Sequence, residues 1–319
     1  MKTLIAAAAL AALAVPVAAE EITASGPEGQ LAGTLVTPAD GKPVVLIVPG
    51  SGPTDRDGNN PMGVKAASYR LLAEALGARG IGSVRIDKRG MFGSKAAIAD
   101  ANAVTIADYV TDIGAWVQRT RQATGRDCVW LAGHSEGGLV ALAAAGKVPD
   151  LCGVIVLAGP GMTMAEILRA QFKGNPANAP VLPDALHAID MLEKGERVDV
   201  AGFHPALASV FNPAVQGYIV DLMTYDPVAL AAATAGPLLI VQGGKDFQVP
   251  PANGAALHAA RPSADYIVVP SMNHVLKDVE GDDAQSNLAT YANPALPVSS
   301  ELVDAVAGFV TAPRANETS

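Results

Sequence analysis

A run of strand-forming residues, Cys128-Val129-Trp130-Leu131-Ala132, passes through Gly133-His134-Ser135-Glu136-Gly137 directly into the helix-forming stretch that follows. A G-x-S-x-G string between a strand and a helix leaves no length for a loop. The backbone must reverse sharply, with the serine at the apex of the turn. Glycine is needed at 133 and 137 because a Cβ at either flank would clash with the turned chain. A strand that feeds a helix this abruptly is half of a βαβ unit, and such units build parallel sheets covered on both faces. This segment is therefore one strand-to-helix step of an α/β pattern.

The remaining pattern agrees. Residues 21–36 alternate apolar and polar around Gly26-Pro27-Glu28-Gly29 and predict a β-hairpin. Val44–Val48 is an unbroken apolar run suited to a strand buried on both sides. Further strands are predicted over 81–86, 128–132, 153–157, 238–241 and 266–269. Helical spacing marks 66–77, 105–121, 136–145, 252–260 and 300–311. Residues 160–235 break the rhythm, with helical patterns punctuated by Pro176, Pro180, Pro183, Pro205, Pro213 and Pro227 and no strand. So long a structureless loop is improbable in a compact domain. The expected fold class is thus α/β: a mostly parallel sheet with helices on both faces, made by residues 20–159 and 236–314, and a helical cap inserted over 160–235.

Composition narrows the setting. Of 319 residues, 50% are hydrophobic and 17% charged, which excludes a disordered chain. The net charge of −9 leaves no basic footprint for nucleic acid. Lys2, an apolar run over 4–15, Pro16 and the small residues Val17-Ala18-Ala19 have the layout of a signal peptide over residues 1–19, cleaved after Ala19. No later stretch is apolar for long enough to cross a membrane. The protein is expected to be exported, periplasmic or secreted, with no membrane span after cleavage; the sequence sets no oligomeric state. In an oxidising compartment the two cysteines, Cys128 and Cys152, gain meaning. Cys128 starts the elbow strand and Cys152 sits just before the next, which should be its parallel neighbour about 4.8 Å away, so a Cys128–Cys152 disulfide is expected where the registers agree.

A serine hydroxyl is a weak nucleophile and needs a base, which in turn needs an orienting acid. Four histidines follow Ser135: His187 and His204 fall in the cap region, and His258 sits inside a helical pattern. His274 alone follows a strand end and is the predicted base. Asp246, in Gly243-Gly244-Lys245-Asp246 just beyond a strand, is the predicted acid. Asp265 begins a strand and points to the opposite sheet edge, and Asp221 and Asp226 belong to the cap. Backbone N–H groups of Glu136 and Ser51, with Gly52 second, are the expected oxyanion donors, since Gly50 and Gly52 let the main chain come close. Pro49-Gly50-Ser51-Gly52 lacks the G-K-[ST] ending of a phosphate loop. This chemistry calls for no cofactor and no metal. Asp55, Arg56 and Asp57 either line the acyl pocket or order the loop, and Arg89 is read as a structural ion pair.

Five segments, PGSGPTDRDGN (49–60), DKRGMFGS (87–94), GHSEGG (133–138), GGKD (243–246) and MNH (272–274), together resemble the α/β-hydrolase superfamily, in its carboxylesterase and serine-aminopeptidase-like branch. The resemblance implies a Ser-His-Asp esterase core with a variable helical lid. Serine at 135 sets the chain apart from the cysteine of dienelactone hydrolases and the aspartate of haloalkane dehalogenases. The expected activity is hydrolysis of a small ester with a short-to-medium acyl chain. An aminopeptidase-like amidase is the alternative, since residues 160–235 carry eight acids and four bases that could hold a substrate ammonium. A non-catalytic binding protein is a third reading. Met162, Met164, Ile167, Leu168, Phe172, Leu182 and Leu186 are the apolar residues expected over Ser135.

Overall fold

A computed structural model describes residues 19–313. All of the expected signal segment 1–19 but Ala19 lies outside the described residues, as do residues 314–319. Eight strands form one sheet: β1 (Ala19–Ser25), β2 (Gln30–Val36), β3 (Val44–Val48), β4 (Gly82–Ile86), β5 (Val129–His134), β6 (Leu151–Leu157), β7 (Leu238–Gly243) and β8 (Asp265–Val269). Their order is β1-β2-β4-β3-β5-β6-β7-β8. The predicted hairpin is β1–β2, closed by the Gly26 N–H on Gly29 O at 2.9 Å, and β2 also runs antiparallel to β4. From β4 to β8 every pairing is parallel.

Among the described residues eleven α-helices accompany the sheet: α1 (Ser68–Gly77), α2 (Ile106–Thr124), α3 (Glu136–Ala144), α4 (Met164–Gly174), α5 (Leu182–Glu193), α6 (Pro205–Val210), α7 (Gln216–Met223), α8 (Pro227–Ala233), α9 (Ala252–Ala260), α10 (Ala284–Ala289) and α11 (Ser300–Thr311). Local chemistry explains their limits. Thr105 starts α2 with a capping box, its hydroxyl taking the Asp108 N–H while the Asp108 carboxylate takes the Thr105 N–H. Gly125, at φ 68°, ends it.

Side chains of a strand alternate between faces, and the core splits accordingly. Val44, Leu46 and Val48 join Ile113, Trp116 and Val140 on one face. Val45 and Ile47 join Tyr69, Leu72, Leu302 and Val306 on the other. Between β6 and β7 the chain runs through α4 to α8 without a strand, and Ala185, Ile189, Leu192, Leu207 and Phe211 bury one another in a third cluster.

Cys128 and Cys152 form a disulfide with Cα atoms 5.2 Å apart. β6 begins two residues earlier than the 153–157 run predicts, so Cys152 lies within it. The register slips there, pairing Val129 with Leu151 but Trp130 with Gly153, and Cys152 is left over to meet Cys128. Closing a loop of this length stabilises by about 3 kcal/mol in the chain-entropy model. Urea unfolding with and without reductant should therefore differ by about that amount. Two alkylatable thiols in the non-reduced, denatured protein would contradict the bridge.

Candidate active site

Ser135 sits at the apex of the β5–α3 turn at φ 54° and ψ −125°, a conformation that costs a non-glycine residue about 1–3 kcal/mol. A Cβ on Gly133 would fall 1.9 Å from the Gly137 carbonyl oxygen, and one on Gly137 would fall 2.5 Å from that of Val48. Both glycines are thus required by the turn, as the sequence implies. The Ser135 N–H donates to Leu157 O at 2.9 Å, tying the apex to β6.

Asp246 and His274 come from the loops after β7 and β8. They meet through His274 Nδ1 and Asp246 Oδ2 at 2.8 Å, with both side chains buried. Asp246 Oδ1 accepts the N–H groups of Gln248 at 2.9 Å and Val249 at 2.8 Å, which fixes the carboxylate plane. With Nδ1 so engaged, Nε2 is the remaining ring nitrogen of His274. The two loops are braced from behind: Asn273 Nδ2 donates to Thr290 Oγ1 at 2.7 Å and Asn287 Oδ1 at 3.1 Å, while Asn287 Nδ2 donates to Lys245 O at 2.7 Å.

Three residues that the sequence reading passes over complete the surroundings. The His134 ring lies 4.8 Å from the His274 ring, centroid to centroid, and its Nε2 approaches the His274 carbonyl oxygen at 2.8 Å. A carbonyl only accepts, so His134 carries its proton on Nε2 and Nδ1 is an acceptor. Tyr69 donates its hydroxyl to that Nδ1 at 2.8 Å and accepts the Gly50 N–H at 3.0 Å. Burial pushes the Tyr69 phenol well above its ordinary value, so it remains a donor. The third residue is Lys88, buried at the end of β4, which contacts Gly50 O and the Glu136 carboxylate. His134 is the His of GHSEGG and Lys88 the Lys of DKRG, while Tyr69 lies in the helical pattern over 66–77.

The loop after β3 approaches the elbow so closely that a Cβ on Gly50 would lie 3.2 Å from the Ser135 Cβ. Gly52 adopts φ 63°, the left-handed region that favours glycine. Arg56 pairs with Asp87 and Glu21, Asp57 with Arg85, and Asp55 accepts the N–H groups of Asp57 and Asn59. These three residues therefore order the loop, and none lines the cavity described below. Arg89 makes an ion pair with Asp108 and Asp112. The other histidines have structural surroundings: His204 caps α6, His258 stacks on Tyr266, and His187 lies in α5.

A cavity of about 700 Å³ opens over Ser135, with Ser51 and Glu136 in its wall. Met162, Met164, Ile167 and Leu168 line it, joined by Leu139, Leu222 and Tyr225. Phe172, Leu182 and Leu186, expected there from sequence, do not. Phe172 is one helical turn beyond Leu168 and stacks on Phe211 in the third cluster, where Leu186 also packs. A turned-out serine, an imidazole oriented by a buried carboxylate, and an apolar cavity form an arrangement able to transfer acyl groups.

Fold and site together are those of an α/β-hydrolase. The family model described as serine aminopeptidase, S33, matches residues 61–277, and the chain belongs to that family. A curated relative, esterase EstD of Thermotoga maritima, is 26% identical over 82% of this chain. The chain spans 61% of that relative's length. Among solved structures, the α/β-hydrolase GrgF from Penicillium sp. sh18 superposes with a TM-score of 0.55 at 19% identity, over 81% of this chain and 91% of that one. Est1E from Butyrivibrio proteoclasticus gives 0.53 at 18% identity, over 85% and 95%. A hydrolase from Pseudomonas aeruginosa PA01 gives 0.54 at 19% identity, over 92% and 98%. At these identities the three structures share the fold.

Burial, and then the nearby His274, lower the pKa of His134 from 6.5 to about 3. The folded protein refuses a proton that the unfolded chain accepts, so stability is full above the unfolded value and falls as pH drops below it. The loss from this one group should approach about 1 kcal/mol per pH unit between pH 6 and 4. Urea titrations across that range should show a shallower pH dependence in His134→Gln than in wild type; equal slopes would contradict the assignment.

Proposed function

We propose that this protein is an exported serine esterase that cleaves carboxylic esters of short-to-medium acyl chain through an acyl-enzyme. One observation carries the reading: the elbow serine opens into an apolar cavity at the edge of the sheet where Asp246 holds His274 by Nδ1. Ser135 Oγ attacks the ester carbonyl while His274 Nε2 takes its proton, and Asp246 keeps the imidazole in the required tautomer. The N–H groups of Ser51 and Glu136 receive the oxyanion; Glu136 is the first residue of α3, so its N–H has no acceptor within the helix. His274 returns the proton to the departing alkoxide, and water then releases the acid by the same route in reverse.

The choice of ester over aminoacyl substrate rests on charge. Recognition of a substrate ammonium requires a free carboxylate, and the only one in the cavity wall, Glu136, is paired with Lys88. Five of the eight acids over 160–235 are engaged elsewhere. Glu166 closes a capping box, Asp190 and Glu193 bind Arg169, Asp221 accepts the Ile106 N–H, and Asp226 caps α8. The cavity volume falls within the usual range for small-molecule sites, and its Met, Ile and Leu lining suits an aliphatic acyl chain. The leader over 1–19 and the Cys128–Cys152 bridge support export to an oxidising compartment.

Ser135→Ala and His274→Ala should each lower ester hydrolysis by at least about 10⁴-fold, and the losses should not add in the double variant. A fluorophosphonate probe should label wild type and not Ser135→Ala, separating an enzyme from a binding protein. p-Nitrophenyl acetate or butyrate should be cleaved much faster than palmitate or any aminoacyl anilide. Preference for the anilide would move the reading to an aminopeptidase.

A further inference from the structure

Lys88 is 3% exposed, and no step of the reaction described above uses it. Its ammonium donates to the Gly50 carbonyl oxygen at 2.7 Å and to Glu136 Oε1 at 3.1 Å, and it lies 5.2 Å from the centroid of the Tyr109 ring. Burial alone would lower its pKa, but the Glu136 carboxylate, and then the Tyr109 phenol, reverse that and hold it above its ordinary value. The ammonium therefore stays charged.

The Gly50 carbonyl and the Ser51 N–H belong to one peptide group. None of the described peptide bonds is cis, so the two point in opposite directions across the peptide plane. A cation fixed on the carbonyl end aims the N–H end away from itself, and Ser51 lies in the cavity wall beside Ser135. A charge-assisted bond on the carbonyl also polarises the peptide and makes its N–H a stronger donor. The same ammonium grips the side chain of Glu136, whose own N–H is the other donor. The preceding peptide is held separately, by the Gly50 N–H on the Tyr69 hydroxyl.

We infer that Lys88 is a positioning residue for the oxyanion hole: one buried cation that orients and polarises the Gly50–Ser51 peptide and ties it to the residue bearing the second donor. The inference rests on the esterase reading and on Ser51 as a donor. Lys88 touches no substrate. Its contribution grows as negative charge develops on the substrate oxygen, so it acts on turnover and not on ground-state binding.

The test is Lys88→Met, assayed with p-nitrophenyl butyrate and with rates expressed per active site titrated to completion by a fluorophosphonate. The expected loss in kcat is on the order of 10–100-fold, with KM within about threefold of wild type. A boronic acid, which forms a tetrahedral adduct on Ser135, should bind more weakly by a similar factor. Loss of packing alone would lower the number of titrated sites and leave the rate at each unchanged. If the uncompensated Glu136 prevents Lys88→Met from folding, Lys88→Met/Glu136→Gln removes both charges of the pair and should show the same loss. A kcat per site within about twofold of wild type, or an unchanged boronic acid affinity, overturns the inference while leaving the esterase reading intact. Wild-type protein that neither hydrolyses the ester nor takes up the probe overturns both.

Discussion

The site depends first on how close the first turn of α3 lies to the end of β3. Carbonyl oxygens of Val48 and Pro49 stand where a side chain on Gly137 would begin, at 2.5 and 2.6 Å. That approach places the loop that starts at Pro49 against Ser135. It also holds Ser135 in a backbone conformation it would not choose. The strain is offset by burial, because every residue of α3 from Glu136 to Ala144 is buried. A helix so enclosed cannot rotate or slide to relieve its N-terminus.

Around this contact the buried charges come in pairs, and several gather at the end of β4: Asp87 with Arg56, Lys88 with Glu136, Arg89 with Asp112. Buried ion pairs are poor sources of stability, since desolvation consumes most of the attraction. Their value here is direction. Each joins the strand end to a different neighbour: the loop after β3, the elbow, and α2. Three consecutive side chains thus fix the relative placement of the elements that carry or support the site. The neutral chain Gly50–Tyr69–His134–His274 does the same without charge, because its donors and acceptors fit only one proton arrangement.

Much of this was legible in the sequence, and the reasons differ by residue. The elbow could be read because its turn demands glycine at fixed offsets. The Asp246–His274 pair followed from strand ends, since a parallel sheet collects the loops after its strands on one edge. The cavity wall was half legible: the apolar pattern put Ile167 and Leu168 over Ser135 but could not say that Phe172, a turn further on, meets Phe211. Lys88 was hidden by its neighbour, as two adjacent cations look alike until one is seen to bridge the Gly50 carbonyl and Glu136 while the other pairs with two aspartates of α2. His134 was hidden inside the motif itself, where the serine draws attention. Its role needs a tyrosine 65 residues away and a carbonyl 140 residues away, which no local pattern encodes.

The connection from β6 to β7 must in any case cross the sheet, which takes about a dozen residues at minimum. Here residues 158–237 make the journey, and the added closure entropy amounts to only about 2 kcal/mol because it grows with the logarithm of length. The extra chain buries its own apolar residues and contributes none of Ser135, Asp246 or His274. It supplies much of the cavity wall, and its Leu222 and Ala231 also join the core on one face of the sheet. Changes of length or sequence in the self-packed part of this stretch would therefore redraw the cavity wall while leaving the ends of β5, β7 and β8 where they are.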